Sequence, residues 1–279
     1  MTTMTNPRTG SRDMYSHITE LDGPEVAAIA ERLDIRAADP SQRRLRDEYL
    51  ARPSYTAGSV VLEIGSGTGA VTAQIAGLPG VARAVGIDPS PYFVDLAAGR
   101  YPELRFEVGD GRALPFEDES FDGIVFATTL CHIPRPEQAL AEAFRVLEPG
   151  GSLLIFDGDY ATVTVAVAPN DPLQTCVDAT VDQLVHDPWI MRRLGQLVSA
   201  AGFEPGELHS HGHVELDSPT YMLALVAIGA DALADAGTIS AVTAEALRAE
   251  ARDRAATGRF FGHIAYASLL ARKPSGGSV

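Results

Sequence analysis

Val60-Val61-Leu62-Glu63-Ile64, followed by Gly65-Ser66-Gly67-Thr68-Gly69, is the stretch that decides the fold. A short apolar run closed by glycine predicts a buried strand, and the segment 69–75 opens a helix behind it. Glycines at such a junction let the backbone turn tightly, approach a ligand closely and present N–H groups at a helix N-terminus. Outward from this point strands and helices alternate. Strands are predicted over 82–87, 104–108, 121–126 and 152–156, and helices over 91–98 and 136–147. The last of these helices carries Ala139, Leu140, Ala143, Phe144 and Leu147 on one face and stops at Pro149-Gly150-Gly151. The alternation implies α/β architecture, a parallel sheet with helices on both faces.

Upstream, 22–50 reads as two short helices broken at Asp39-Pro40, with Ser41 capping the second. Downstream, a helix runs from Asp187-Pro188 to Ala201 and stops at Gly202. A strand over 207–216, helices over 220–236 and 240–256 and a strand over 260–271 complete the pattern. The two late helices read as an insertion between the last two strands, a lid or wall over the sheet. Residues 1–13 read as a disordered tail and 274–279 as a flexible one. A single domain is left over 14–273, with N-terminal helices at 14–57, a core at 58–158 and a substrate and lid region, with the last two strands, at 159–273.

Composition narrows the function. The chain has 279 residues, enough for one sizeable core without staples. Hydrophobic residues at 46% and charged residues at 21% exclude wholesale disorder. A net charge of −15 repels phosphate backbones and anionic lipid, so neither nucleic acid nor membrane is an expected partner. Lys273 is the only lysine and stands at the start of a Gly/Ser-rich end, which excludes an internal Schiff-base or P-loop lysine. Cys131 and Cys176 are too few for a disulfide framework. No signal-peptide pattern opens the chain, and its longest mostly apolar stretch, 221–230, is far shorter than a membrane span of about 20 residues. These features predict a soluble, cytoplasmic protein with a small-molecule partner; a homodimer is compatible with them.

The glycine loop alone has two readings. Gly65, Gly67 and Ala70 also satisfy a dinucleotide fingerprint, and Asp88, 23 residues after Gly65, can accept ribose hydroxyls under either reading. Three features break the tie. Glu63 sets a carboxylate ahead of the glycines, which favours a cationic ligand over a pyrophosphate. Asp110-Gly111 ends the third strand, where an acid can accept from an adenine amino group. The segment 114–122, Leu114-Pro115-Phe116 through Ser120-Phe121-Asp122, leads into the fourth strand.

Taken in order, 61–69, Gly86-Ile87-Asp88-Pro89-Ser90, Gly109-Asp110-Gly111, the Leu-Pro-Phe segment and Arg145-Val146-Leu147-Glu148-Pro149-Gly150-Gly151 resemble class I S-adenosylmethionine (SAM)-dependent methyltransferases. The nearest branch is the small-molecule one that includes the quinone-biosynthesis (UbiE-type) C-methyltransferases. The resemblance covers roughly 58–158, and it implies a Rossmann-like seven-stranded sheet with the last strand antiparallel. It implies SAM as cofactor and S-adenosylhomocysteine (SAH) as product. It also implies that Gly65, Ser66 and Gly67 lie against the methionine and ribose, and that Glu63 orients the glycine loop. Asp88 would bind the ribose, with Pro89 against the adenine and Asp110 and Gly111 on its ring. Carbonyls of Ala127 and Thr128 would meet the ammonium. The departure is the helical pair before the last strand, where the family has a short hairpin.

On the acceptor side, His132 follows the fourth strand at the carboxyl end of the sheet, where open α/β folds bind ligands. It is the candidate catalytic base; its alternative is a loop histidine packed on the cofactor. Tyr15 is placed over the methionine end. Tyr160, Trp189, Ile190, Tyr221, Met222, Leu225, Phe260 and Phe261 suggest an apolar roof for an aromatic or hydrophobic acceptor. Arg192 and Arg193 read as surface ion pairs or as partners of a substrate carboxylate. His209, His211 and His213 alternate, so a strand puts them on one face. That spacing can ligate metal, but no carboxylate joins them and no metal is expected.

Overall fold

The computed structural model describes residues 13–216 and 219–275. Its first half holds α1 (Gly23–Ala38), α2 (Pro40–Leu50), β1 (Ser59–Ile64), α3 (Ala70–Ala76), β2 (Val81–Asp88), α4 (Pro91–Arg100), β3 (Arg105–Val108) and β4 (Phe121–Ala127). The second half holds α5 (Pro136–Val146), β5 (Leu147–Thr164), α6 (Pro172–Leu184), α7 (Leu194–Ala200), β6 (Glu204–Glu215), α8 (Tyr221–Asp235), α9 (Ala241–Ala256) and β7 (Gly262–Arg272). The strands form one seven-stranded sheet in the order β3-β2-β1-β4-β5-β7-β6. β1 to β5 pair in parallel, and β7 runs antiparallel between β5 and β6. The expected Rossmann-like α/β sheet is therefore present, with its last strand antiparallel.

The central strands are apolar on both faces because helices cover both. Val61, Leu62, Ile124, Val125 and Phe126 are all buried. A second, smaller core of Ile18, Val26, Ile29, Ala30 and Phe93 fastens the N-terminal segment and α1 onto α4. The start of α1 is fixed by a reciprocal cap between Asp22 and Glu25.

Several local expectations are corrected. Asp39, not Ser41, caps α2: its carboxylate accepts from the N–H groups of Ser41 and Gln42, and Pro40 occupies the first helical position. The fifth strand extends well beyond 152–156. The polar Asp157-Gly158-Asp159 does not end it, because Asp157 is satisfied by the N–H groups of Cys131 and Gly158 at 3.0 and 2.8 Å. The helix expected over 187–201 is broken at Arg193 into a 3₁₀ turn, Ile190–Arg192, and α7. α6 was not anticipated, although Asp171 caps it and Leu173, Cys176, Val177 and Leu184 bury one face. Asp13 belongs to the packed structure and not to a tail: it is fully buried. Lys273 is likewise packed, its ammonium donating to the Leu147 carbonyl at 2.7 Å. Residues 1–12 and 276–279 lie outside the described residues.

The pair α8–α9 stands between β6 and β7 in chain order, as expected, and α8 packs against α6. Thr180 Oγ1 donates to the Leu225 carbonyl at 2.5 Å. The two helices approach so closely that a Cβ on Gly229 would lie 1.7 Å from the Cys176 carbonyl oxygen. This contact makes a prediction. Gly229→Ala should destabilise by about 1–3 kcal/mol or more through overpacking, despite the better helix propensity of alanine. Gly195 in α7 has open space around its Cα, and Gly195→Ala should be neutral or stabilising by up to about 1 kcal/mol. Thermal denaturation of the two variants checks the contrast.

Candidate functional site

The carboxyl ends of β1, β2, β3 and β4 converge on a cavity of about 430 Å³, closed from the other side by the N-terminal segment and α1. The glycine loop forms its floor. Gly65 sits at φ +79°, and a Cβ there would meet Thr129 Cγ2 at 2.2 Å, so only glycine fits. Its N–H and that of Ser66 donate to the Ile87 carbonyl at 2.8 and 3.0 Å. Gly67 donates to Asp88 Oδ2 at 2.9 Å, and Asp88 Oδ1 accepts from Ser90 N–H at 2.9 Å. Burial nevertheless pushes the Asp88 carboxyl up to about 6. Ser66 Oγ is buried without a partner among the described residues, a polar atom placed to meet a ligand.

Glu63 lies beneath this loop and lines the cavity. Its carboxylate accepts from Thr72 Oγ1, so it ties β1 to α3, where the sequence suggested a bond to the glycine loop. Burial pushes it up to about 8. At the ends of β2 and β3, Asp110 and Gly111 line the cavity beside Pro89. Asp110 is held by the Arg112 guanidinium at 2.6 Å, which keeps its carboxyl below the usual range. Across the floor, Thr128 adopts φ +52°, a conformation that costs a β-branched residue energy and clusters at functional sites. The Ala127 carbonyl already accepts from Thr128 Oγ1 at 2.7 Å and Thr129 Oγ1 at 3.1 Å.

The opposite wall holds a pair that sequence reasoning missed. His132 Nδ1 is 2.9 Å from Asp13 Oδ2. The same carboxylate accepts from Ser16 Oγ, Tyr15 N–H and His186 N–H, each at 2.9 Å. Burial alone would raise Asp13, but these donors, His132 foremost, hold it below its ordinary value. An ionised carboxylate only accepts, so Nδ1 of His132 carries a proton. Nε2 makes no hydrogen bond among the described residues, and the ring lines the cavity. Desolvation pulls His132 down, yet Asp13 beside it leaves its pKa above the ordinary 6.5. Tyr15 packs its ring on His132 at 4.5 Å. No local sequence signal marks Asp13, which lies 119 residues from its histidine.

The expected roof is not where the sequence put it. None of Tyr160, Trp189, Ile190, Tyr221, Met222, Leu225, Phe260 or Phe261 is among the residues around this cavity; Tyr15, Ile18 and Leu33 cover it instead. Trp189 is exposed and stacks on Arg192. Arg192 pairs with Asp159 and Arg193 with Asp187, so both are surface ion pairs. The three alternating histidines run from exposed His209 to buried His213 on β6. His211 Nε2 bonds Ser268 Oγ at 2.8 Å, and His213 Nε2 bonds Glu215 at 3.2 Å. No metal-binding cluster exists among the described residues.

The buried Glu63 makes a prediction about pH. A carboxyl raised from 4.5 to about 8 stabilises the fold fully below 4.5 and loses that contribution as pH rises through 8. Glu63→Gln keeps an acceptor for Thr72 but cannot ionise. Its melting temperature relative to the parent should therefore climb between pH 5 and 8; a flat difference would contradict the assignment.

Residues 62–155 match the methyltransferase domain family. The O-methyltransferase cnsE of Penicillium expansum is 38% identical over 120 residues, covering 41% of this chain and 43% of that protein. The demethylmenaquinone methyltransferase of Renibacterium salmoninarum is 36% identical over 122 residues, covering 43% and 50%. Among solved structures, the [4+2]-cyclase SpnF is 25% identical with a TM-score of 0.54, over 84% of this chain and 82% of that one. The chain spans about half the length of the curated relatives it matches. The sheet order, the glycine loop and the family match together make 62–155 a class I, SAM-dependent methyltransferase domain, resembling those of the UbiE-type enzymes.

Proposed function

We propose that this protein transfers the methyl group of SAM to a carbon or oxygen of a small aromatic, quinone-like or secondary-metabolite acceptor. The observation that carries this reading is one cavity that joins the glycine loop, two strand-end acids and a histidine braced by a buried aspartate. Gly65, Ser66 and Gly67 would lie along the methionine and ribose, where the glycine contour and the unpartnered Ser66 hydroxyl suit a ligand. Asp88 would take the ribose hydroxyls, Pro89 and Gly111 the adenine face, and Asp110 its amino group while shared with Arg112. Thr128 and the Ala127 carbonyl would border the ammonium, with Tyr15 closing over the methionine end. Bound there, SAM supplies a methyl group on a sulfonium, already activated for in-line attack.

The chain's own task is orientation and proton removal. Fixing an acceptor in line contributes roughly 7–11 kcal/mol in the best intramolecular models. His132 Nε2 would receive the acceptor proton, with Asp13 fixing the tautomer and stabilising the imidazolium. The domain reads as 14–57 covering the cavity and 58–158 binding cofactor; the residues that line the cavity end at Phe156, so the substrate role expected of 159–273 is not carried by this cavity. The chain's acidity favours a small-molecule partner over nucleic acid, and no described helix is long and apolar enough to cross a membrane. We read the protein as cytoplasmic.

A second reading has one observation behind it: the fold likeness to a [4+2]-cyclase, a protein named for a reaction that is not methyl transfer. Formation of SAH from SAM with a panel of phenols, hydroquinones and enolic dicarbonyls decides between them. Methyl transfer predicts SAH in step with methylated product; the cyclase-like reading predicts SAM recovered intact.

The histidine makes the sharper prediction. His132→Asn should lower kcat by roughly 100- to 10,000-fold, the usual worth of a general base, with SAH affinity held within about threefold. In the parent enzyme the rate should rise with pH through a value above 6.5, since the base works unprotonated. The groups facing His132 are Asp13, Asp157, Tyr15 and Arg36. Asp13→Asn should lower kcat and move that acidic limb to lower pH. An unmoved limb would remove Asp13 from the mechanism.

A further inference from the structure

Two arginines on one face of α1, Arg32 and Arg36, point inward one helical turn apart. Neither forms an ion pair with a carboxylate among the described residues, in a chain whose acids outnumber its basic residues by 15. Arg32 hydrogen-bonds the Tyr15 side chain, but its Nε and Nη2 are buried with no partner among the described residues. Arg36 lines the cavity, and its Nη1 donates to Thr128 Oγ1 at 3.0 Å, beside the strained end of β4. Tyrosine rings make up much of its remaining surroundings, with His132 also near. Its guanidinium lies 5.5 Å from the Tyr266 ring centre and 5.9 Å from that of Tyr221. Behind it Tyr49, Phe156 and Tyr266 stack in series at 4.1 and 5.2 Å. The Tyr266 hydroxyl is itself buried without a partner among the described residues.

Part-burying a guanidinium without a counter-ion is costly, and such charges are ordinarily paired. Tyrosine faces offset only part of that cost. The fork of Arg36 has one hydroxyl contact and donors to spare, so the missing partner is a planar anion suited to bidentate contact. Three arginines line this cavity, but Arg112 is paired with Asp110, and Arg46 donates to Gln74 and to the Ala37 carbonyl; we propose that it is Arg36 that takes a carboxylate, or an ionised phenol or enol, of a bound ligand. Two ligands could bring that chemistry: the amino-acid end of the cofactor, or an acidic acceptor. Thr128 lies beside the proposed ammonium position, and Tyr221 and Tyr266 belong to elements outside the family match. An acidic acceptor would also explain why a cation and a braced histidine face one space: proton loss to His132 leaves an anion that Arg36 neutralises. This inference deepens the proposed function and rests on it for the identity of the first ligand.

The test compares Arg36→Gln, Arg36→Lys and the parent by calorimetry with two matched pairs of probes. SAH is paired with methylthioadenosine, which lacks the amino-acid end. Para-nitrophenol is paired with nitrobenzene, its neutral counterpart, in the presence and absence of SAH. Arg36→Gln should lose at least tenfold, about 1.4 kcal/mol, on the anionic member of one pair and keep the neutral member within about twofold. Loss on SAH names the cofactor carboxylate as the source; loss on nitrophenol names the acceptor. Nitrophenol bound as its anion is also visible by its absorbance, at a pH where the free phenol is un-ionised. Arg36→Lys should recover part of the loss. The proposal is overturned if Arg36→Gln leaves both anionic probes within twofold, if it weakens the neutral probes equally, or if the parent binds neither anion. Failure of the parent to bind SAH or methylthioadenosine would count against the methyltransferase reading alone, and the nitrophenol pair would still decide the role of Arg36.

Discussion

The buried carboxylate of Asp13 joins three parts of the chain that are remote in sequence. It receives a ring N–H from His132, a backbone N–H from His186, and the hydroxyl and backbone N–H of its own turn. A fully buried carboxylate is tolerable only when its oxygens are saturated in this way. The requirement fixes the N-terminal segment over the cavity, brings Tyr15 onto the His132 ring and leaves one imidazole nitrogen facing ligand space. The Ser16 hydroxyl also lies 2.5 Å from the His132 carbonyl, so its one proton is shared between that oxygen and Asp13. The small core around Ile29 and Phe93 holds α1 beneath, and so places Arg36 as well. The acceptor side therefore depends on the N-terminal segment, while the cofactor side depends on the sheet.

That division explains how much could be read from the sequence. The glycine loop, Asp88 and Asp110 are legible because each sits at a strand end, where local pattern and chemistry coincide. A glycine that must hold φ +79° against Thr129 announces itself as a glycine. The sheet was legible for the same reason: buried parallel strands are short apolar runs bounded by turn residues. Asp13 and Arg36 were not, since their meaning lies in contacts made across the fold. The supposed roof failed on another ground. Aromatic residues late in the chain signal burial, and the sequence does not say whether the burying surface is a cavity or a core; here Met222, Phe260 and Tyr160 are core. Ser41 lost its capping role because Pro40 takes the first helical position and moves the cap two residues back, to Asp39, and α6 was overlooked although Asp171-Pro172 is a recognisable start.

The electrostatics of the cavity run against the bulk of the molecule. The surface is acidic, yet the two acids nearest the glycine loop are pushed towards neutrality by burial, to about 8 and about 6. A cation entering there restores the charged form of both, so affinity for a sulfonium and ionisation of Glu63 and Asp88 are coupled. On the far wall the order is reversed: a guanidinium with no carboxylate partner among the described residues stands among tyrosines. A ligand positive at one end and negative at the other matches this gradient better than one carrying a pyrophosphate, which Glu63 and Asp88 would repel.

The account stands or falls on what occupies the glycine-loop end. The most direct measurement is the melting temperature of the purified protein with SAH and, separately, with NADH. A ligand at 100 times its dissociation constant adds roughly 2.7 kcal/mol of stability. The account predicts a clear rise with SAH and none with NADH. A rise with NADH alone, or no rise with SAH in protein shown to carry no co-purified nucleoside, would contradict it.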